Sequence, residues 1–385
     1  MKQDFVRKIE GYDEIVRERA ICRKYGLDYS AEGGKIRSFI NRLHPPRLML
    51  RVSDVIDETP SSKTLRLVSP EGYLPPFQAG KYISIIADIG PIRTSRPYSI
   101  SSPPNQRGYY DITIRNRENG FVAPHLLNRI KAGNRIEASA PSGGFCFNPL
   151  IHDRASVFIA GGSGITPFMS MIREVVECGI DRTICLFYGN RSDADVIFHD
   201  ELLRISQRFR QVTYVPVIET PSPGYTGARG YITGDIIKGV VGQTGGRTYY
   251  LCGPPAMYDF CLPELEGLSI PRHKIRREVY GPPPDITRSP GWPSHIGRDA
   301  AFTVGIRGRG EIGARAGESL LNSLERSGIV VPALCRSGEC SMCRVKLISG
   351  RVFQPAGVLL RKSDRQFGYI HSCAAYPLED LEIMF

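Results

Sequence analysis

The spacing of apolar residues along the chain changes period from segment to segment. Residues 1–45 place them at helix-like intervals, Ile9, Tyr12, Ile15 and Val16, then Phe39, Ile40 and Leu43. The segment ends at His44-Pro45-Pro46, which predicts a helical extension and a boundary. Over 46–150 the pattern shortens to alternating runs such as Leu65-Arg66-Leu67-Val68, Tyr82-Ile83-Ser84-Ile85-Ile86 and Tyr110-Asp111-Ile112-Thr113-Ile114. Turns such as Pro70-Glu71-Gly72 separate them, so an antiparallel barrel or sandwich is expected. Over 151–280 strands and helices alternate. Val157-Phe158-Ile159-Ala160 precedes a helix from Pro167, and Thr183-Ile184-Cys185-Leu186-Phe187-Tyr188 precedes another, before Thr248-Tyr249-Tyr250-Leu251-Cys252. That order predicts a parallel α/β sheet. Residues 281–299 form a proline-rich, strand-poor linker, and 300–385 form a last domain.

Composition narrows the class. With 385 residues, 41% hydrophobic and 23% charged, the chain is long enough for two or three globular domains. No apolar run approaches the ~20 residues that span a bilayer. Met1-Lys2-Gln3-Asp4-Phe5 opens no secretory signal, so no membrane is expected. The net charge of +11 is dispersed and accompanied by no recognition motif, which argues against nucleic acid. A docking surface for an acidic protein, or for anionic cofactors, is the better use of it. Ten cysteines are too sparse for a disulfide scaffold and imply a reducing, cytoplasmic compartment. Cys22, Cys146, Cys178, Cys185, Cys252 and Cys261 are scattered, and most read as small core residues.

The other four cysteines carry chemistry. Cys335, Cys340, Cys343 and Cys373 follow C-x4-C-x2-C and a distant C, the plant-type [2Fe–2S] spacing. Four thiolates must converge on two bridged irons, and a tight loop can supply three of them. Gly338 and small neighbours let backbone N–H groups turn toward the sulfurs. Zinc is the main competitor, but zinc ribbons pair two short C-x2-C units and only one lies here.

Five further segments suit organic cofactors. In Arg96-Pro97-Tyr98-Ser99, the arginine can grip a phosphate, the tyrosine can lie along a flavin ring, and Ser99 can hydrogen-bond its reactive edge. Gly120-Phe121-Val122 opens a short helix whose free N–H groups suit a pyrophosphate, and Gly143-Gly144 forms a second glycine loop. Gly161-Gly162-Ser163-Gly164-Ile165-Thr166 lies between an apolar strand and a helix, where glycines let backbone approach a pyrophosphate. It is not the G-x-G-x-x-G fingerprint. Cys252-Gly253-Pro254 ends another strand in the same style, so both loops should meet at one crevice.

With these motifs in this order, residues 46–385 resemble the ferredoxin–NADP reductase superfamily, most of all its phthalate-type members with a C-terminal plant-type ferredoxin domain. The resemblance implies a flavin-binding antiparallel β-barrel, a nicotinamide-binding α/β domain and an α+β β-grasp ferredoxin domain. It implies that NAD(P)H passes hydride to flavin, which then releases electrons singly through the [2Fe–2S] cluster to a protein acceptor. Arg96, Pro97, Tyr98 and Ser99 would contact flavin, with Gly120, Phe121, Val122, Gly143 and Gly144 around its phosphates. Gly162, Ser163, Gly164 and Thr166 would face the nicotinamide cofactor, with Cys252, Gly253 and Pro254 near its ring. Ser99, Cys252 and Glu278 are the implied catalytic residues. Ala123 stands where many relatives carry a hydroxyl. FAD is favoured over FMN, although phthalate-type relatives use FMN. Arg191 and Ser192 could hold a 2′-phosphate, whereas Asp193 and Asp195 would repel one, so NADH is preferred to NADPH. The acceptor is an oxygenase, a hydroxylase or another metalloprotein. A reductive activator of a corrinoid protein and a non-catalytic redox subunit of a larger complex are the alternatives. The extension at 1–45 has no counterpart in the family pattern.

Overall fold

Alternation in the first strand shows why residues 47 onward begin as a barrel. In β1 (Leu48–Thr59), Leu48, Leu50 and Val52 are buried while Met49 and Arg51 face outward. β2 (Ser62–Val68), β3 (Tyr82–Ile89), β4 (Ile92–Ser99), β5 (Tyr110–Arg115) and β6 (Arg135–Ala138) join it antiparallel, in the order β4-β3-β6-β1-β2-β5. A bridge between Ile100 and Ile112 ties the end of β4 to β5 and closes the sheet on itself.

This computed structural model describes residues 11–26, 40, 41, 43, 45–117, 120–283 and 285–385. Ile9, Phe39 and His44 of the expected extension, and Pro284 of the expected linker, lie outside the described residues. The chain divides into two compact units, 1–46 and 47–385. In the first, α1 (Tyr12–Lys24) has Asp13 and Glu14 in its first turn and Arg23 and Lys24 in its last, matching the helix dipole, and buries none of its residues. Everything below belongs to the second unit, in which α2 (Val122–Arg129) turns Val122 and Leu126 into the barrel core.

The next region is built on β7 (Ala155–Gly161), whose neighbouring residues are buried on both faces: Phe158 and Ala160 on one, Val157 and Ile159 on the other. Two-sided burial is the signature of a parallel sheet covered by helices. After α3 (Ile165–Glu177), β8 (Thr183–Asn190), α4 (His199–Arg208), β9 (Val212–Ile218), β10 (Ala228–Arg229), α5 (Gly234–Val241), β11 (Arg247–Cys252), α6 (Pro255–Gly267) and β12 (Ile275–Glu278), the parallel order is β10-β9-β8-β7-β11-β12. The chain walks outward from β7 and then returns to its other side, so the strand order reverses at β7 and β11. The expected helix from Pro167 begins earlier, at Ile165, because Pro167 sits in the first turn, where its missing N–H costs no bond.

The last region is a mixed sheet of β13 (Ala301–Ile306), β14 (Gly310–Arg315), β15 (Arg344–Ser349), β17 (Tyr369–His371) and β19 (Leu381–Met384), ordered β14-β13-β19-β15-β17. α7 (Leu320–Arg326) packs on it, β16 (Val352–Phe353) pairs with β18 (Tyr376–Pro377), and α8 (Lys362–Gln366) precedes β17. The proline-rich segment before it is fastened down: Ile286 is buried, and Trp292 meets Phe353 and Tyr376 edge-on. Of the six scattered cysteines, only Cys185, Cys252 and Cys261 are buried. Cys178 is exposed and Cys22 and Cys146 are half-buried, because they fall on helix and loop positions outside the cores. Among the described residues no helix is long and apolar enough to cross a membrane.

Candidate functional site

The hydroxyl of Ser99, at the end of β4, is 2.7 Å from that of Tyr280. Ser99 pairs with Tyr82 across the strands, and the Tyr82 ring meets Tyr280 edge-on at 6.2 Å. Gly143, at φ 110°, lies on that Tyr82 ring. A Cβ there would stand 3.0 Å from two ring carbons, and its backbone conformation also disfavours a side chain. Gly144 has open space around it. Tyr98 is raised to about 12 by burial. Arg96 is pushed down to about 10 by burial and then by Arg336, and donates to Thr94 Oγ1 and the Ser95 carbonyl. Pro97 follows it in β4. Gly120 and the exposed Phe121 lead into α2 at Val122.

The parallel sheet brings a second group to this place. Register aligns Cys252 with Glu278 on one side and with Ala160 on the other, so three strand ends lie level. The glycine loops touch: a Cβ on Gly164 would stand 2.0 Å from the Cys252 carbonyl oxygen, and one on Gly161 would stand 2.7 Å from Met257 Sδ. Gly253 closes against Gly161 in the same way, beside Pro254. Thr166 Oγ1 donates to the Ser163 carbonyl, and Gly162, at φ 53°, lies against the Arg115 guanidinium. Tyr258 binds this end together, accepting from the Gly253 N–H and donating to the Glu278 carbonyl. Burial drives the Cys252 thiol well up, and Glu278 adds to it. Burial also raises the Glu278 carboxyl to about 8, against a hydrogen bond from Tyr280 that favours ionisation. Ser99, Tyr280, Glu278 and Cys252 therefore form one buried constellation at the reversal of strand order, where open α/β sheets take ligands. Arg191 stands apart, exposed at the end of β8.

The cysteine loop is wound by three left-handed residues, Arg336 (φ 55°), Gly338 (φ 81°) and Ser341 (φ 60°). The N–H groups of Ser337, Glu339 and Cys340 each point at Cys335 Sγ from 3.4 Å. That thiol is pulled far down by hydrogen bonds from Cys340 and Cys373. Cys343 is likewise lowered by Cys373, which the end of β17 delivers. His371, fully buried, bridges the Gly338 carbonyl and Ser341 Oγ at 2.8 and 3.1 Å. The donor set fits a two-iron cluster, since four sulfurs meet and N–H donors converge on one of them. The Ser337 hydroxyl is buried beside that same sulfur. Among the described residues no group of side chains gathers as a single ion would require. Two irons that share four thiolates do not need such a gathering.

The barrel holds this loop directly. Ser84 Oγ donates to the Leu334 carbonyl at 2.9 Å and Ser95 Oγ to the Ala333 carbonyl at 2.7 Å. Arg336 forks onto Glu325 at 2.7 and 2.9 Å, and Thr94 Oγ1 donates to the same carboxylate. The pair is almost wholly buried. Sequence reasoning missed Tyr280, Tyr82, Tyr258, His371 and the Arg336–Glu325 pair. Tyr280, two residues beyond Glu278, and His371, two before Cys373, were within reach of the motifs. Tyr258 and Glu325 belong to helices whose partners only the fold supplies.

Three family models match in this order: an oxidoreductase FAD-binding domain over 52–147, an oxidoreductase NAD-binding domain over 158–262, and a 2Fe-2S iron-sulfur cluster binding domain over 305–378. The NADH oxidoreductase HCR of Escherichia coli is 27% identical over 86% of this chain and 96% of its own. The ferredoxin reductase component of 3-ketosteroid-9-alpha-monooxygenase from Rhodococcus rhodochrous is 26% identical over 88% and 97%. The phthalate dioxygenase reductase structure shares the fold with a TM-score of 0.65, at 24% identity, over 88% of this chain and 98% of that one. FAD, a nicotinamide cofactor and a [2Fe–2S] cluster are thus the cofactors of an oxidoreductase. The chain belongs to the ferredoxin–NADP reductase superfamily, among the flavoproteins that carry a C-terminal plant-type [2Fe–2S] ferredoxin domain.

Proposed function

We propose that this protein is the NADH-dependent reductase component of a two-protein oxygenase system, delivering single electrons to a separate oxygenase. The observation that carries the reading is the junction of the two sites: the constellation at Ser99 and Glu278 and the loop at Cys335 are joined through β3 and β4. Bound FAD accepts the two electrons of a reduced nicotinamide together and gives them up singly, and a [2Fe–2S] cluster relays them one at a time.

The chain's own part is placement. Arg96, Pro97, Tyr98 and Ser99 would line the flavin, with Gly120, Phe121 and Val122 near its phosphates and Gly143 leaving room beside Tyr82. Gly162, Ser163, Gly164 and Thr166 would receive the nicotinamide cofactor's pyrophosphate at the start of α3. Cys252, Gly253 and Pro254 would flank its ring. Cys252 stays a neutral thiol at pH 7 and so adds no charge to the pocket. Glu278, held largely protonated below about pH 8, offers a proton donor rather than a fixed anion. Cys335, Cys340, Cys343 and Cys373 would ligate the cluster. The preference for NADH is supported by the Asp193 carboxylate, next to Ser192 and held by the Ser222 N–H and hydroxyl at 2.9 and 3.0 Å, which would repel a 2′-phosphate. The oxygenase as acceptor is supported by relatives that are components of the 3-ketosteroid and glycine betaine monooxygenases.

An anaerobic spectral titration tests the reading. NADH should bleach both flavin and cluster bands, and NADPH should do so far less well. Bands that stay oxidised with both nucleotides would exclude a reductase and leave the non-catalytic subunit.

A further inference from the structure

The cysteine loop has two unlike sides. On the barrel side the Ala333 and Leu334 carbonyls are bonded and Arg336 is buried, so no other protein can approach there. Glu339, the loop's own acid, is exposed and stands near Cys335 and Glu278. On the other side Met342, between two of the cysteines, is 48% exposed. The Leu359 N–H bonds the Gly338 carbonyl at 3.0 Å and lays a second segment against the loop. In that segment Leu359 is 62% and Phe367 64% exposed. The free charges of this second segment have one sign. Arg361, Lys362 and Arg365 are exposed, and none has an ion-pair partner among the described residues. The only acid among them, Asp364, is buried and bonded to Arg344 at 2.7 Å. The domain's other acids include Glu311 on β14 and Glu382 on β19, and β14 is the edge of the sheet farthest from β17.

Electron transfer falls steeply with distance, so an acceptor must touch the loop on its open side. An apolar centre rimmed by unpaired cations suits a partner of opposite charge. We propose that the face formed by Met342, Leu359, Phe367, Arg361, Lys362 and Arg365 docks the electron acceptor, and that this acceptor is a protein with carboxylates around its redox centre. The inference rests on the reductase reading and adds the chemistry of the partner.

The test uses dithionite-reduced holoprotein in stopped flow with two probes, a cytochrome b5 with an acidic haem edge and a cytochrome c with a basic one. Cluster re-oxidation is followed as ionic strength rises from about 10 mM to about 500 mM, a range that shortens screening from about 30 Å to under 10 Å. With the acidic probe the rate should fall at least about tenfold. The combined Arg361→Glu, Lys362→Glu and Arg365→Glu variant should lose a similar factor at low salt and gain rate with the basic probe. Its flavin bleaching by NADH and its melting temperature should match the parent. Calorimetric titration of the acidic cytochrome onto oxidised protein should give the same ordering without turnover. A salt-independent rate with the acidic probe, or a variant that keeps the parent's rate and slope, overturns the proposal. A variant that changes only the protein's self-association assigns the face to a second copy and overturns it too. Because dithionite bypasses the nucleotide, protein that NADH cannot reduce but that still shows this salt dependence would sink the reductase reading and leave the docking face standing.

Discussion

Glu278 gathers several effects in one carboxyl. Burial raises it from an ordinary 4.5 to about 8, and the nearby Glu339 and Cys335 push the same way. Between those values the folded chain holds a proton that the unfolded chain has released. Stability from this group is therefore full below about pH 4.5 and drains away as pH climbs through about 8. Glu278→Gln, neutral throughout, should flatten this slope in the cofactor-free protein, by up to a few kcal/mol across the window. Melting temperatures at pH 5 and pH 8.5 would show it, and equal slopes in both proteins would refute it. The sulfurs give a second expectation. Cys340→Ser should erase the cluster's visible absorption and electron delivery to protein acceptors, while NADH-driven ferricyanide reduction largely survives. A retained cluster spectrum would remove Cys340 from the ligand set.

At the scale of elements, what decides the site is how closely backbone segments approach. Gly164 has no room for even a methyl group beside the Cys252 carbonyl. Gly164→Ala should cost on the order of 1–3 kcal/mol by overpacking and part the two strand ends, measurable by urea denaturation. An unchanged midpoint would mean the loops do not hold each other. Much of this level was legible beforehand. Period-two alternation identified β2, β3 and β5, apolar runs identified the parallel strands β7, β8 and β11, and glycine clusters marked where β7 and β11 end. What stayed hidden were contacts with no periodic signature. Tyr280 reaches Ser99 across 181 positions of chain, and Ser84 reaches Leu334 across 250. No local pattern encodes such a pairing. The N-terminal extension was legible only as a helical period, and α1 buries nothing that would say more.

For the whole molecule, Arg336 and Glu325 are where the barrel and the cluster domain depend on each other. Thr94 brings the barrel to the Glu325 carboxylate, and Arg96, also in β4, lies close enough for Arg336 to lower its pKa. A buried ion pair contributes little net stability while intact, but breaking it leaves a charge stranded away from water. Arg336→Met should therefore destabilise the protein by about 3–5 kcal/mol. The loss should appear first in the cluster domain, as early bleaching of the cluster band during denaturation, ahead of flavin release. Simultaneous loss of both signals would argue that the two regions unfold as one. The proline-rich segment supplies a convenient witness. Trp292 is the chain's single tryptophan, its indole N–H bonded to the Ile296 carbonyl and its ring packed on Phe353 and Tyr376. Intrinsic tryptophan fluorescence of this protein therefore reports from one place, the seam where that segment lies on the cluster domain, and needs no label to do so.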